Sequence, residues 1–274
     1  MNPKHLMDSF QLQPKKSLGQ NFLHDPNALD KIVHTADLAS AAHVLEIGAG
    51  TGALTIRLAQ ADVQVTAIEI DERLIPILQQ QIQDFPNVKL IHGNILDLPM
   101  HDLVGDEPYS VVANLPYYIT SAILRHVLEA ENKPQRLVLT IQQEVAERII
   151  ARPGDLSLLA VSVQFYGKPS IVSRLNPAAF WPRPDVDSAV VKIEVYPAPI
   201  VEVPSEAIFF RVVRAGFSQK RKQLKNSLGA GLEISHPEAA AIIAMASIDP
   251  TRRAETLALE EWAAIARVVA EKGV

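Results

Sequence analysis

Two short stretches carry residue types whose order is suited to chemistry. The first is Asn114-Leu115-Pro116-Tyr117. An exocyclic amine on an aromatic base, such as that of adenine, is a poor nucleophile because its lone pair is delocalised into the ring. The Asn114 side-chain oxygen and the Leu115 main-chain carbonyl are two acceptors for the two hydrogens of such an amine. Held that way, the nitrogen is drawn toward tetrahedral geometry with its lone pair aimed at an electrophile. Pro116 restricts the backbone that presents the carbonyl, and Tyr117 offers a face on which an extruded base can stack. Positioning and electrostatics then do most of the work. A strand-ending asparagine before a proline turn is also common without any chemistry, so the motif gains meaning from what surrounds it.

The second stretch is Glu46-Ile47-Gly48-Ala49-Gly50-Thr51-Gly52, with Glu69 downstream. Glycines after a strand allow a tight turn and a close approach of backbone to a nucleotide. A carboxylate at the end of the following strand, Glu69, can accept from ribose hydroxyls. Gly48-x-Gly50-x-x-Ala53 also satisfies a dinucleotide fingerprint, so a nicotinamide oxidoreductase competes at this point. The alternating GxGxG resembles the cofactor loop of class I methyltransferases, which favours S-adenosyl-L-methionine, with S-adenosyl-L-homocysteine as product. Glu46, a carboxylate placed to lie near a sulfonium, favours it as well.

A third feature is one of charge. From Ala207 to Leu232 there is no acidic residue, while Arg211, Arg214, Lys220, Arg221, Lys222 and Lys225 are present. In a chain of net charge −5 this run reads as a basic, phosphate-facing helix. Lys15 and Lys16 are expected to extend the same track. The eight histidines lack ligand spacing, so no metal site is expected. Asp185 and Asp187 are expected to organise a turn, Trp181 to pack, and Glu144 and Glu147 to be structural.

The elements that must position these residues are legible as apolar runs. His43–Ile47, Val63–Ile70, Val88–His92, Tyr109–Ala113 and Leu137–Ile141 read as strands, with helices over Leu54–Ala61 and Glu72–Gln83. Strands alternating with helices predict a parallel sheet covered on both faces. Ile171–Leu175 and Ser188–Val195 read as strands that pair antiparallel at the sheet's end. Past a proline-bearing linker near residue 200 the pattern is helical only. The 274 residues, 48% apolar and 21% charged, have room for one large and one small domain. The expected division is a mobile tail over 1–15, a cofactor-binding α/β domain over 16–200, and a small helical RNA-contacting domain over 201–274. The chain contains no cysteine, which excludes disulfides and thiolate metal sites. No signal peptide or membrane span is read from the sequence. A cytoplasmic protein, without a membrane partner and monomeric on its own, is the expectation.

Several motifs in order resemble the ribosomal RNA adenine dimethylases that act on small-subunit RNA. They are Gly19-Gln20-Asn21-Phe22-Leu23, EIGAGTG with Glu69, NLPYYIT at 114–120, QQEVAERI at 142–149, FWPRPDVDSAV at 180–190 and FSQKRKQLKNSL at 217–228. The resemblance runs from about Lys16 to Leu228. It implies a doubly wound, Rossmann-like class I methyltransferase fold with a small helical C-terminal domain. It further implies that Asn21 and Leu23 cover the cofactor, Gly48 lies beneath its methionine end, and Glu69 holds its ribose. Asn114 would border the transfer site, and Tyr117 and Phe180 would sandwich the target adenine. Asn94 stands where the family has an aspartate that accepts from the cofactor's adenine amine, which weakens that contact by about 1 kcal/mol. The implied partner is 16S ribosomal RNA within the immature small subunit, with two methyls placed on each of two adjacent adenosines in a 3′-terminal hairpin. Two other readings stay open: a large-subunit RNA methyltransferase that shares the cofactor motifs, and an assembly checkpoint whose binding outweighs its chemistry.

Overall fold

A computed structural model gives the fold and describes residues 2–38 and 42–274. Nine strands occur among them: β1 (Phe22–Leu23), β2 (His43–Ile47), β3 (Gln64–Glu69), β4 (Val88–His92), β5 (Tyr109–Asn114), β6 (Arg136–Gln142), β7 (Gly167–Leu175), β8 (Phe180–Trp181) and β9 (Ser188–Val195). The helices are α1 (Pro3–Ser9), α2 (Pro26–Ala36), α3 (Ala53–Ala59), α4 (Ile75–Ile82), α5 (Met100–Val104), α6 (Thr120–Leu128), α7 (Gln143–Ile149), α8 (Leu158–Tyr166), α9 (Glu206–Phe217), α10 (Leu224–Leu232), α11 (His236–Met245) and α12 (Leu259–Lys272). No helix among the described residues is long and apolar enough to cross a membrane.

Two compact units form. The first comprises residues 1–146 and 168–195. Seven of its strands make one sheet in the order β4-β3-β2-β5-β6-β9-β7. The pairs β2–β3, β3–β4, β2–β5 and β5–β6 are parallel, and β6–β9 is antiparallel. This is the expected mostly parallel sheet with an antiparallel terminal strand. The inner strands read as unbroken apolar runs because helices cover both faces. On one face Leu29 and Ile32 of α2 and Leu54 and Leu58 of α3 pack over Val44, Val65, Val112 and Val138. Helix α2 starts where the sequence supplies a cap: Asp25 accepts from the Ala28 amide, and Pro26 sits in the first turn.

The strand order reverses between β2, which neighbours β3, and β5. A crevice opens at the carboxyl ends of strands at such a reversal. The glycine turn leaves the end of β2 and Asn114 closes β5, so both motifs reach this one point.

The segment expected as a mobile tail over 1–15 contains a helix. Asn2 caps α1, and Met7 is fully buried against Phe22, Leu74 and Ile77. Polar residues and a proline hid a single turn-length apolar anchor. Beside it, β1 and β8 form a two-stranded antiparallel ribbon that pairs Phe22 with Trp181 and Leu23 with Phe180. The Phe22 and Trp181 rings stack at 6.3 Å.

The second unit comprises residues 147–167 and 196–274. It therefore starts earlier than the boundary near residue 200 and takes in α8. The reason is aromatic: Phe165 stacks on Phe209 at 4.5 Å, and Tyr166 on Phe210 at 5.8 Å. The basic run over 207–232 folds as two helices, α9 and α10, joined by the turn 218–223. Gly231 brings them close, since a Cβ there would stand 2.5 Å from the Ala215 Cα.

Candidate functional site

The glycine turn is shaped by backbone geometry that side chains resist. Gly48 and Gly50 have φ of 78° and 61°, in the left-handed region where only glycine is unstrained. A Cβ on Gly50 would come within 3.1 Å of the Phe22 ring. The turn is tied to β3 by the Gly48 and Ala49 amides, which donate to the Ile68 carbonyl at 2.9 and 3.0 Å. Glu69 completes the tie. Its Oε2 accepts from the Gly50 amide at 2.7 Å and its Oε1 from the Asp71 amide at 2.8 Å. Burial raises the Glu69 pKa, opposed by those two amides. Each oxygen retains a lone pair, so the carboxylate is already aimed before any ribose hydroxyl arrives.

Glu46 lies one strand position before the turn at 1% exposure, and its Oε2 has no hydrogen-bond partner. Burial pushes its pKa up to about 8; the nearby Thr55 hydroxyl pulls it down, and the charge of Glu69 adds to the rise. An orphaned buried carboxylate beside a glycine cradle fits a cationic ligand group.

On the other side of the reversal, Asn114 pairs with Thr140 of β6, and the Leu115 amide donates to the Thr140 carbonyl at 3.0 Å. The Asn114 Nδ2 donates to the Asn21 carbonyl at 2.9 Å. The Tyr117 hydroxyl shares a hydrogen bond with the Ser188 Oγ at 2.8 Å, which fixes the ring.

An open crevice of about 550 Å³ is lined by Asn21, Gly48, Gly50, Glu69, Asn114, Leu115, Pro116 and Tyr117, among others. An adjoining hollow of about 330 Å³ shares Gly48, Gly50 and Asn114 and adds Glu46 and Leu23. The structure thus brings these residues together around one crevice. Phe180 is 3% exposed, belongs to the same buried cluster as Leu23, Ala28 and Leu29, and pairs with Leu23, which lines the adjoining hollow. Asn94 stays outside both cavities. Its Oδ1 accepts from the Leu96 amide and its Nδ2 donates to Asp97, which leaves the oxygen one lone pair for a further donor.

The basic residues divide between the two units. Lys15 and Lys16 are exposed ahead of Gly19 in the first. In the second, Arg211, Arg214, Lys220, Arg221 and Lys222 are exposed and Lys225 is half-buried.

One set of site residues was not singled out in the sequence. Asp71 accepts from Gln20 Nε2 at 2.8 Å and from Arg73 at 2.6 Å, while Gln20 Oε1 accepts from the Lys15 amide. This brace holds residues 13–22 over the crevice. Its signal was the second acid of Glu69-Ile70-Asp71, too ordinary a pattern to stand out. Ile70, 43% exposed, also lines the crevice.

Residues 11–271 match the family model described as ribosomal RNA adenine dimethylase. A protein of Dehalococcoides mccartyi (strain CBDB1) called ribosomal RNA small subunit methyltransferase A is 48% identical over 260 residues, covering 94% of this chain and 89% of that one. One of the same name from Moorella thermoacetica is 45% identical, covering 94% and 93%. Among solved structures, the 23S rRNA methyltransferase ErmE aligns with a TM-score of 0.70 at 28% identity, covering 91% of this chain and all of that one. A dimethyladenosine transferase from Plasmodium falciparum shares the fold at 0.78 and 24% identity, covering 92% and 98%.

Proposed function

Because the chain belongs to the ribosomal RNA adenine dimethylase family, we propose that it methylates the N6 amines of two adjacent adenosines in the 3′-terminal hairpin of small-subunit ribosomal RNA, within the immature subunit. The observation that carries this is the placement of Asn114 across the strand reversal from Gly48, with the Asn114 amide nitrogen committed to Asn21.

S-adenosylmethionine, when bound, supplies a methyl group activated by a positive sulfur. Asn21, Leu23, Gly48, Gly50 and Glu69 are the residues that would hold it, and the left-handed glycines, the aimed Glu69 and the orphaned Glu46 oxygen fit such a group. The chain's own part is to bind and orient the base. Asn114 Oδ1 and the Leu115 carbonyl accept the two amine hydrogens. Pro116 and the Leu115–Thr140 hydrogen bond fix that carbonyl. Tyr117, held by Ser188, takes the face of the extruded adenine, a contact worth ~1–3 kcal/mol. Phe180 would supply the second face. The exposed cations of α9 and of the turn 218–223 bind phosphates and place the RNA.

The test is to incubate the purified chain with immature small subunits and labelled S-adenosylmethionine, then identify the labelled nucleoside and map its positions by mass spectrometry of RNA fragments. Label in N6,N6-dimethyladenosine at two neighbouring positions is expected. Label on large-subunit RNA instead would reassign the substrate, and no label in adenosine would overturn the proposal.

A further inference from the structure

Tyr118 is the most exposed large apolar residue described, at 63%. It directly follows Tyr117, which lines the crevice. A tyrosine that merely packs would turn inward; this one does not, and yet it is not loose. A Cβ on Gly19 would stand 3.3 and 3.4 Å from its Cδ1 and Cε1, so one edge of the ring rests on the bare Gly19 backbone. Gly19 closes the turn that begins at Lys15 and Lys16, its amide donating to the Lys16 carbonyl at 3.0 Å. Both lysines are exposed. An oriented, open aromatic face thus stands at the mouth of the crevice beside two cations. That is the chemistry of a single-stranded nucleotide site: a π-face for a base and positive charge for its phosphate.

We propose that Tyr118 is a second stacking platform, which holds the nucleotide next to the target adenosine while the target occupies the crevice, with Lys15 and Lys16 on the connecting phosphates. The inference rests on the function proposed above and deepens it. With paired adenosines as substrate, the neighbour on Tyr118 is the other adenosine. Swapping which of the two enters the crevice and which stacks outside lets one site serve both.

The experiment compares the full chain with Tyr118→Ala, Tyr118→Leu and Tyr118→Phe. Losing ~1–3 kcal/mol of stacking per base should raise KM for the immature subunit roughly 5- to 150-fold in the Ala and Leu variants. The change in kcat should be smaller, and Tyr118→Phe should restore KM to within about twofold. S-adenosylmethionine affinity, measured by calorimetry, should be the same in all four and also reports intact folding. A second readout uses a hairpin RNA with 2-aminopurine beside the target adenosine. Its fluorescence should be quenched by the native chain and the Phe variant, and not by the Ala variant. Unchanged KM in Tyr118→Ala, or a Phe variant as poor as Ala, or equal quenching by native and Ala chains, would overturn the proposal. If the native chain labels no adenosine, the function proposed above fails, and the quenching experiment still decides whether Tyr118 stacks a base.

Discussion

The Asn114 side chain donates to the main-chain carbonyl of Asn21 at 2.9 Å, across 93 residues of sequence. A carbonyl can only accept, so the amide must turn its nitrogen to Asn21 and keep its oxygen for something else. One hydrogen bond therefore joins the segment around Asn21 to the end of β5 and sets the polarity of the Asn114 amide.

Replacing Asn114 by Ala removes the acceptor for one amine hydrogen and the tie to Asn21. The expected loss in kcat is at least about 10²-fold, comparable with deletion of a donor to a developing charge in other enzymes. Binding to small subunits should fall less than about threefold, because the phosphate contacts lie elsewhere. Single-turnover kinetics and a filter-binding assay separate the two effects. If this variant also restores subunit maturation in cells lacking the native protein, binding outweighs chemistry there.

Glu46 gives the site a pH dependence. Its carboxyl is held at about 8 in the folded chain against an ordinary 4.5. Between those values the folded chain keeps a proton that the unfolded chain has lost. Stability of the ligand-free chain should then fall as pH rises from about 4.5 to 8 and level off above. A bound sulfonium favours the ionised form, so binding should release a proton below pH 8. Calorimetry of S-adenosylmethionine binding in two buffers of different ionisation enthalpy measures that release. Glu46→Gln should abolish it and should flatten the stability profile.

The brace at Asp71 has the opposite sign. Arg73, against a smaller cost of burial and helped by Gln20, holds its carboxyl at about 2 against 3.8. The stabilisation is present above pH ~4 and is lost as pH falls toward 2. It amounts to at most about 2 kcal/mol, less what water around the partly exposed Arg73 screens. Asp71→Asn should weaken S-adenosylmethionine binding by about tenfold, as expected for a charge-assisted hydrogen bond. Hydrogen exchange should speed up over residues 13–22. Unchanged exchange there would mean that the brace is not what holds the cover.

Gly231→Ala sets two effects against each other. Alanine favours a helix over glycine by about 1 kcal/mol. Its methyl, however, would meet the Ala215 backbone at 2.5 Å, and backbone cannot step aside, so overpacking of about 1–3 kcal/mol wins. Thermal unfolding should move down by a few degrees. A rise would show that α9 and α10 can part at no cost.

The proposed function puts the cations of the turn between α9 and α10 on RNA phosphates. Replacing Lys220, Arg221 and Lys222 by Ala should weaken RNA binding and flatten its salt dependence by about 0.7–0.9 for each phosphate that is no longer neutralised. Cofactor affinity should not change.

The sheet was legible because buried parallel strands are unbroken runs such as YSVVAN and RLVLTIQ, and the glycine turn and Asn114 stand at their ends. Helix α1 was not. Its one buried anchor, Met7, gains meaning only beside Leu74 and Ile77. That Phe180 pairs with Leu23 was not legible either, because a two-residue ribbon carries no periodicity to read. The start of the second unit was missed for a similar reason: α8 is apolar all round, and only its aromatic contacts with α9 say where it belongs.

The ribbon has a consequence for how the chain is born. Phe22 leaves the ribosome early, yet its partner Trp181 follows only after most of the sheet has been synthesised. The roof of the crevice is thus among the first segments made and among the last to be fastened. A nascent chain stopped short of β8 would carry the glycine turn, Asn114 and the Asp71 brace, with Phe22 still lacking its partner.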